Sequence, residues 1–265
     1  MNVGAVVLIA ILSARMLQPS VPAEPSSSSS SSITGLPARV VHDAAKLASR
    51  TPLVTLAIGG VAAAAVHPAD ASIEQRIPKF GTVDEAVDAG SALGDGWVQW
   101  TVASVVYGTG LVLKKPAVAD VGTRLVEAQV VGGVLTQLIK YAADRERPNG
   151  GHLSFPSGHS EASFVTADIL EQHYGWRVGA FAYFAAGCVS LSRLAEHEHY
   201  ASDVVFGAAV GIAAARATGL AHGGRRAPTL GGFTIVPVVT GGSVGMLVTR
   251  LGGRHAAAVD KEVAW

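Results

Sequence analysis

The chain has 265 residues, 49 % of them hydrophobic and 15 % charged, and its 20 Lys and Arg balance its 20 Asp and Glu. That composition supplies one sizeable core, and the zero net charge excludes an overall field that would draw the protein to nucleic acid or another polyanion. A single cysteine, Cys188, excludes an intramolecular disulfide and a Cys-based metal site, and it is expected as a small core residue.

Aromatic residues are scarce at 6 %, while Ala and Gly are abundant. This is the composition of closely packed helices, so the expected fold is all-α. Val3 to Ala14 is an apolar stretch followed by the small residues Val21-Pro22-Ala23, and residues 1–23 read as a signal peptide or N-terminal anchor, although no Lys or Arg precedes the stretch. Pro25 and the serines from Ser26 to Ser32 cannot bury apolar area, which makes residues 24–36 a flexible linker.

Residues 37–222 then carry a bundle of about six helical segments. They run from about Val40 to Val66, Trp97 to Leu113, Val121 to Ala143, Ser160 to Tyr174, Arg177 to Arg193 and Tyr200 to Gly219. In the tail, 223–265, β-branched runs at Thr234 to Val239 and Val244 to Thr249 flank Gly241-Gly242 and suggest a short β-hairpin.

The bundle is expected to be embedded in a membrane. A spanning helix needs roughly 20 apolar residues, and Trp97 to Leu113, without a formal charge, comes closest. Lys114, Lys115 and Arg124, then Arg177, then Arg216, Arg225 and Arg226 mark three joins on one side, the cytoplasm. The two remaining joins face the periplasm or exterior together. One conflict stands: a cleaved leader puts residue 24 outside, whereas six spans in this orientation put Arg39 inside. Either the first segment does not span, or the domain is exported and soluble.

Both outward joins carry reactive side chains. Lys140 precedes Arg147-Pro148 by seven positions, which places the two cations near one face if the helix continues to Pro148. Phe155-Pro156-Ser157-Gly158-His159-Ser160 is a turn at a helix start, where backbone N–H groups form an anion site. Ser192-Arg193, His199 and Asp203 follow, the last two at a four-residue spacing that allows a hydrogen bond. Each cluster alone has an ordinary explanation: a solvated helix end, a turn, or a structural pair.

In this order the three clusters resemble the signature of the type 2 phosphatidic acid phosphatase and vanadium haloperoxidase superfamily. The signature is Lys, six residues, Arg-Pro; Pro-Ser-Gly-His; and Ser-Arg, five residues, His, three residues, Asp. The match is close from Lys140 to Asp203 and looser, by helix order, from Val40 to Gly219. The resemblance implies a phosphatase that needs no metal and passes through a phosphohistidine on His199. Asp203 would orient that ring, and His159 would protonate the leaving alcohol. Lys140, Arg147, Ser157, the Gly158 N–H and Arg193 would hold the phosphate oxygens.

No cofactor is implied, with vanadate expected as an inhibitor, and the expected partners are a lipid phosphate substrate and the membrane. Two departures stand out. The spacer from Pro148 to Pro156 is short, and Tyr200 occupies a place where many relatives carry Trp. Glu196-His197-Glu198-His199 looks like a metal cluster, but His-x-His on a helix turns its rings apart, and His199 is already engaged. Asp144, Arg145, Glu146 and His152 read as surface groups. The alternatives are a secreted, soluble acid phosphatase, a haloperoxidase holding vanadate in the same cradle, and a lipid-binding protein without turnover.

Overall fold

The computed structural model describes residues 35–77 and 90–222, and the backbone of residues 229–230, 233–240 and 243–250. The expected leader and nearly all of the serine linker lie outside these residues. Eight α-helices are present among the described residues. They are α1 (Leu36–Lys46), α2 (Arg50–Val66), α3 (Asp70–Arg76), α4 (Gly96–Val112), α5 (Pro116–Ala143), α6 (Gly158–Tyr174), α7 (Trp176–Ala195) and α8 (Ala201–Ala221).

The all-α class follows from these helices, and the C-terminal hairpin expected from the sequence plays no part in the bundle as described. The tail backbone is traced as antiparallel segments at Phe233–Thr240 and Ser243–Arg250.

The first expected segment is two helices. Pro52 has no N–H to donate and its ring excludes a preceding helical turn, so it sits in the first turn of α2 and the chain breaks at residues 47–49. Pro116 opens α5 for the same reason, five residues before the expected start. Asp95 caps α4 by accepting a hydrogen bond from the Trp97 N–H at 2.8 Å. Gly175, at φ 88°, makes the turn from α6 into α7 that a side chain would resist.

Three helical stretches, Arg50–Arg76, Trp176–Ala195 and Ala201–Ala221, are long and apolar enough to cross a membrane. The uncharged segment at Trp97, expected to come closest, is 17 residues as α4. Large apolar side chains point outward, among them Ile58 and Val61 on α2, Leu138 on α5, and Phe181 and Phe184 on α7. Inside, the core joins Ala103, Val121, Leu125, Ala128, Val165, Ile169 and Ala214. Such a distribution suits a lipid solvent, and the protein is membrane-associated. Cys188 is exposed on α7 rather than buried, because it lies in an open apolar hollow with Phe184, Leu191 and Val204 rather than in the core.

With little hydrophobic drive between helices in lipid, small residues bring the backbones together. A Cβ on Gly122 would stand 2.3 Å from the Tyr107 nitrogen, and one on Gly110 2.2 Å from the Ala119 nitrogen, so α4 and α5 touch main chain to main chain. Polar side chains add ties: Asp168 on α6 accepts from Tyr183 of α7 at 2.7 Å and from Arg216 of α8 at 3.2 Å. The helix order puts the C-terminal ends of α5 and α7 beside the N-terminal ends of α6 and α8. All three sequence clusters therefore meet at one end of the bundle.

Candidate active site

Lys140, Arg147, Gly158, His159 and His199 line one cavity of about 270 Å³. Lys140 lies in the last turn of α5 and is buried, its Nζ donating to the Leu153 carbonyl at 2.5 Å. Arg147 does not reach the cavity along the helix face, as the spacing suggested. The helix ends at Ala143, and Asp144 takes a left-handed conformation with φ 39°, which Asp tolerates better than most residues. From the loop that follows, Arg147 Nε donates to the His152 carbonyl at 2.9 Å, and its NH1 pairs with Glu198.

Ser157 caps α6, its Oγ accepting from the Ser160 N–H at 3.4 Å. It is fully buried under the turn and does not line the cavity. Gly158, the first residue of α6, does line it, at the helix end where backbone N–H groups have no helical partner. The turn rests directly on α8. The Ser157 N–H donates to the Asp203 carbonyl at 3.0 Å, and a Cβ on Gly207 would stand 2.4 Å from the Ser157 oxygen.

Arg193 is buried in the last turn of α7, with NH1 3.2 Å from His159 Nε2 and NH2 paired with Glu196. It joins the cavity through His159.

His199 precedes α8, and its Nδ1 is 3.8 Å from Asp203 Oδ2, an ionic contact longer than a hydrogen bond. Its Nε2 is on the opposite edge of the ring. Burial holds the His199 pKa below the ordinary histidine value, the Lys140 and Arg147 charges push the same way, and Asp203 pulls against them. The ring is therefore neutral near pH 7.

The arrangement behind His199 contains residues that the sequence reading placed on the surface or passed over. Asp203 has 0 % exposure. Its Oδ2 accepts from Ser154 Oγ at 2.5 Å and from the Tyr200 N–H at 2.8 Å, and its Oδ1 accepts from Arg145 NH1 at 2.6 Å. The other arm of Arg145 reaches Asp70 Oδ2 at 2.8 Å, and its guanidinium lies 4.3 Å from the centre of the Tyr200 ring. Asp70 in turn accepts from the Ser202 N–H at 2.9 Å. Arg145 is thus a half-buried clamp between two buried carboxylates, and α3, absent from the expected elements, supplies one of them. No spacing in the sequence links Asp70 to Arg145, 75 residues away.

Glu196, His197, Glu198 and His199 turn to different partners: Arg193, Glu74 (2.9 Å), Arg147 and Asp203. Among the described residues, Asp43, Glu127 and His222 do bring three ligand-type atoms within 4.8 Å. They sit at the other end of the bundle, where Glu127 already accepts from Arg39 at 2.5 Å and meets His222 Nε2 at 2.6 Å. His152 is exposed.

Two histidines, two cations and a helix N-terminus line one cavity, with a third cation, Arg193, against His159; the arrangement suits a tetrahedral oxyanion, and part of the chain resembles the PAP2 superfamily. Residues 149–226 match that family, which bears out the resemblance read from the motifs. Lys140 and Arg147 precede the matched stretch.

One similar protein is the lipid A 1-phosphatase of Porphyromonas gingivalis, 40 % identical over 77 residues. The match takes in 28 % of this chain and spans only 17 % of that relative's length. The crystal structure of a transmembrane PAP2-type phosphatidylglycerolphosphate phosphatase from Bacillus subtilis has the same fold. The TM-score is 0.54 at 23 % identity, covering 62 % of this chain and 91 % of the other.

Replacing Arg145 with Ala leaves the buried Asp70 and Asp203 carboxylates with their Ser and backbone N–H partners but without their shared cation, at a cost of about 3–5 kcal/mol. The melting midpoint of the detergent-purified protein should fall by several degrees. Arg145→Lys, which keeps the charge but not the fork, should lie between the two. An Arg145→Ala midpoint equal to wild type would contradict the clamp.

Proposed function

We propose that the protein is a phosphatase acting on lipid phosphates through a phosphohistidine on His199. The observation that carries this reading is the convergence of His199, His159, Lys140, Arg147 and the Gly158 end of α6 on one cavity. Both relatives are phosphatases by name, and the apolar outer surface favours a lipid substrate over a soluble ester.

In the first step His199 Nε2 bonds to phosphorus as the ester P–O bond breaks, and His159 gives a proton to the leaving oxygen. Burial and the Arg193 charge push the His159 pKa down to about 4 in the empty site, so it takes up that proton only with the substrate's negative charge bound beside it. Positive charge then develops on the His199 ring, and Asp203 stabilises it through the Nδ1 proton. Contacts that are long in an empty site tighten as this charge forms, so the 3.8 Å separation is compatible with the role. In the second step water attacks phosphorus, passes a proton to His159 and breaks the N–P bond. Lys140, Arg147, Arg193 and the Gly158 N–H hold the equatorial oxygens throughout. Lys140 would leave the Leu153 carbonyl for the phosphate, and Arg147 and Arg193 would share their carboxylate partners with it. Ser157 supports the turn, and its hydroxyl lies behind the cradle rather than in it. The cations supply the charge that a metal would otherwise provide, so turnover should continue in excess chelator.

The test is turnover of a panel of phosphate esters in detergent, with a radiolabelled substrate to trap the enzyme intermediate. Wild type should form an acid-labile, base-stable phosphoprotein. His199→Ala should abolish it and lower kcat by at least about 10³-fold. Full activity in His199→Ala would refute the mechanism.

The acid limb of kcat/KM gives a second check. Burial holds the His199 pKa below the ordinary histidine value, so this limb should lie below about pH 6.5. Activity falls as pH drops through the pKa of His199, because the nucleophile becomes protonated. Asp203→Asn removes a contribution that raises this pKa and should move the limb further down; Arg147→Gln removes one that lowers it and should move the limb up. Limbs that do not move would contradict the assignment of His199.

We further propose that the site faces the periplasm or exterior. Lys114 and Lys115 after α4, Arg124 near the start of α5 and Arg177 at the start of α7 lie at the opposite end of the bundle from the cavity. This is the positive-inside pattern. In a Cys188→Ser background, Lys114→Cys in intact cells should resist a membrane-impermeant thiol reagent and react once the cells are opened. Equal labelling before and after opening would reverse the orientation.

A further inference from the structure

The cavity continues beyond the catalytic side chains. Gln129, Gly133, Thr136 and Lys140 follow one another along one face of α5 at three- and four-residue intervals and all line it. At 1.5 Å per residue, that face extends on the order of 16 Å from Lys140 toward the middle of the bundle. Glu161 and Ala162 of α6 stand opposite, with Trp100 of α4 alongside.

The far end is closed by polar side chains. Gln129 Nε2 donates to the Ala162 carbonyl at 2.9 Å and to Thr166 Oγ1 at 3.3 Å, and Thr166 Oγ1 donates to Gln99 Oε1 at 2.6 Å.

Two polar groups in this trench are left open. Glu161 is 3 % exposed and Thr136 1 %, and neither Glu161 Oε1 nor Thr136 Oγ1 has a hydrogen-bond partner. Room for the carboxyl is made by a glycine: a Cβ on Gly132 would stand 2.1 Å from Glu161 Oε1. The phosphate chemistry uses neither side chain. Buried polar groups are almost always paired, and two open ones on the same cavity suit a ligand that brings the missing partners. A hydrocarbon in the trench would leave both unpaired, whereas hydroxyl groups can donate and accept.

We infer that the trench is a subsite for the hydroxyl-bearing part of the substrate, a polyol such as glycerol or a sugar carrying the phosphate, with Glu161 and Thr136 as the residues that select it. The inference rests on the phosphatase reading for where the phosphate sits. It sets the substrate class apart from prenyl or simple alkyl phosphates, which offer no hydroxyl next to the ester. Acyl chains have another place: Trp97 on α4 and Leu138 and Tyr141 on α5 are exposed beside the trench and suit contact with lipid.

The test uses the full chain in detergent and compares phosphatidylglycerol phosphate, soluble glycerol 3-phosphate and an unbranched alkyl phosphate. Glu161→Ala and Thr136→Val should lower kcat/KM on both glycerol-bearing substrates by roughly tenfold to a hundredfold and change the alkyl phosphate by less than about twofold. Glu161→Gln, which keeps a hydrogen-bonding group, should retain most of the preference. Selectivity measured within one preparation does not depend on the folded fraction, so a merely structural role would leave the ratio unchanged. Equal losses on all three substrates, or none, would overturn the inference.

A binding arm separates this failure from failure of the phosphatase reading. Glycerol 3-phosphate should raise the melting midpoint of His199→Ala more than ethyl phosphate does, and Thr136→Val in that background should remove the difference. If wild type turns over no phosphate ester but the binding difference is present, the phosphatase reading fails and the subsite stands. If both ligands shift the midpoint equally, the subsite fails.

Discussion

The carboxylate of Asp203 has no solvent exposure, and a charge placed there must find its hydrogen-bond partners within the protein. It finds them in three parts of the chain: Ser154 and Arg145 in the loop after α5, the Tyr200 N–H at the start of its own helix, and Asp70 of α3 through the second arm of Arg145. Its main-chain oxygen takes the Ser157 N–H as well. One residue thus fixes the loop that delivers Arg147, the turn that begins α6 and the approach to His199. A carboxylate so heavily partnered is a firm support for the ring beside it, and the support is assembled before any substrate arrives.

The lipid solvent explains why this polar assembly sits at one end. Within the bundle, close backbone contacts such as those of Gly110 and Gly122 hold α4 against α5, and exposed Ile58, Val61, Phe181 and Phe184 face outward. Charged groups are costly at that depth unless they are paired, and Asp168 with Tyr183 and Arg216 is paired. Glu161 and Thr136 depart from that rule, and they do so on the wall of the cavity, where a ligand can supply the missing partners.

The reactive groups themselves were legible in the sequence because they are tied to turns. Pro156 and Gly158 mark a helix start, and the His199 to Asp203 spacing marks the beginning of α8. The spacing puts Arg147 on a helix continuing from Lys140, whereas the left-handed Asp144 ends α5 early and leaves Arg147 in the loop. Arg145, beside it in sequence, passed for a surface charge because its burial depends on an aspartate 75 residues earlier.

The sequence by itself determined the class of fold and the reactive residue types, because helical composition, proline positions and the spacing within each cluster act over a few residues. Tertiary structure alone decided that Asp70 and Arg145 brace Asp203, that Ser157 lies behind the cradle, that Cys188 faces outward, and that Glu161 and Thr136 open onto the same cavity as Lys140. Those outcomes depend on which helix faces which, a choice set by backbone contacts at small residues and by the pairing of buried charges far apart in the chain.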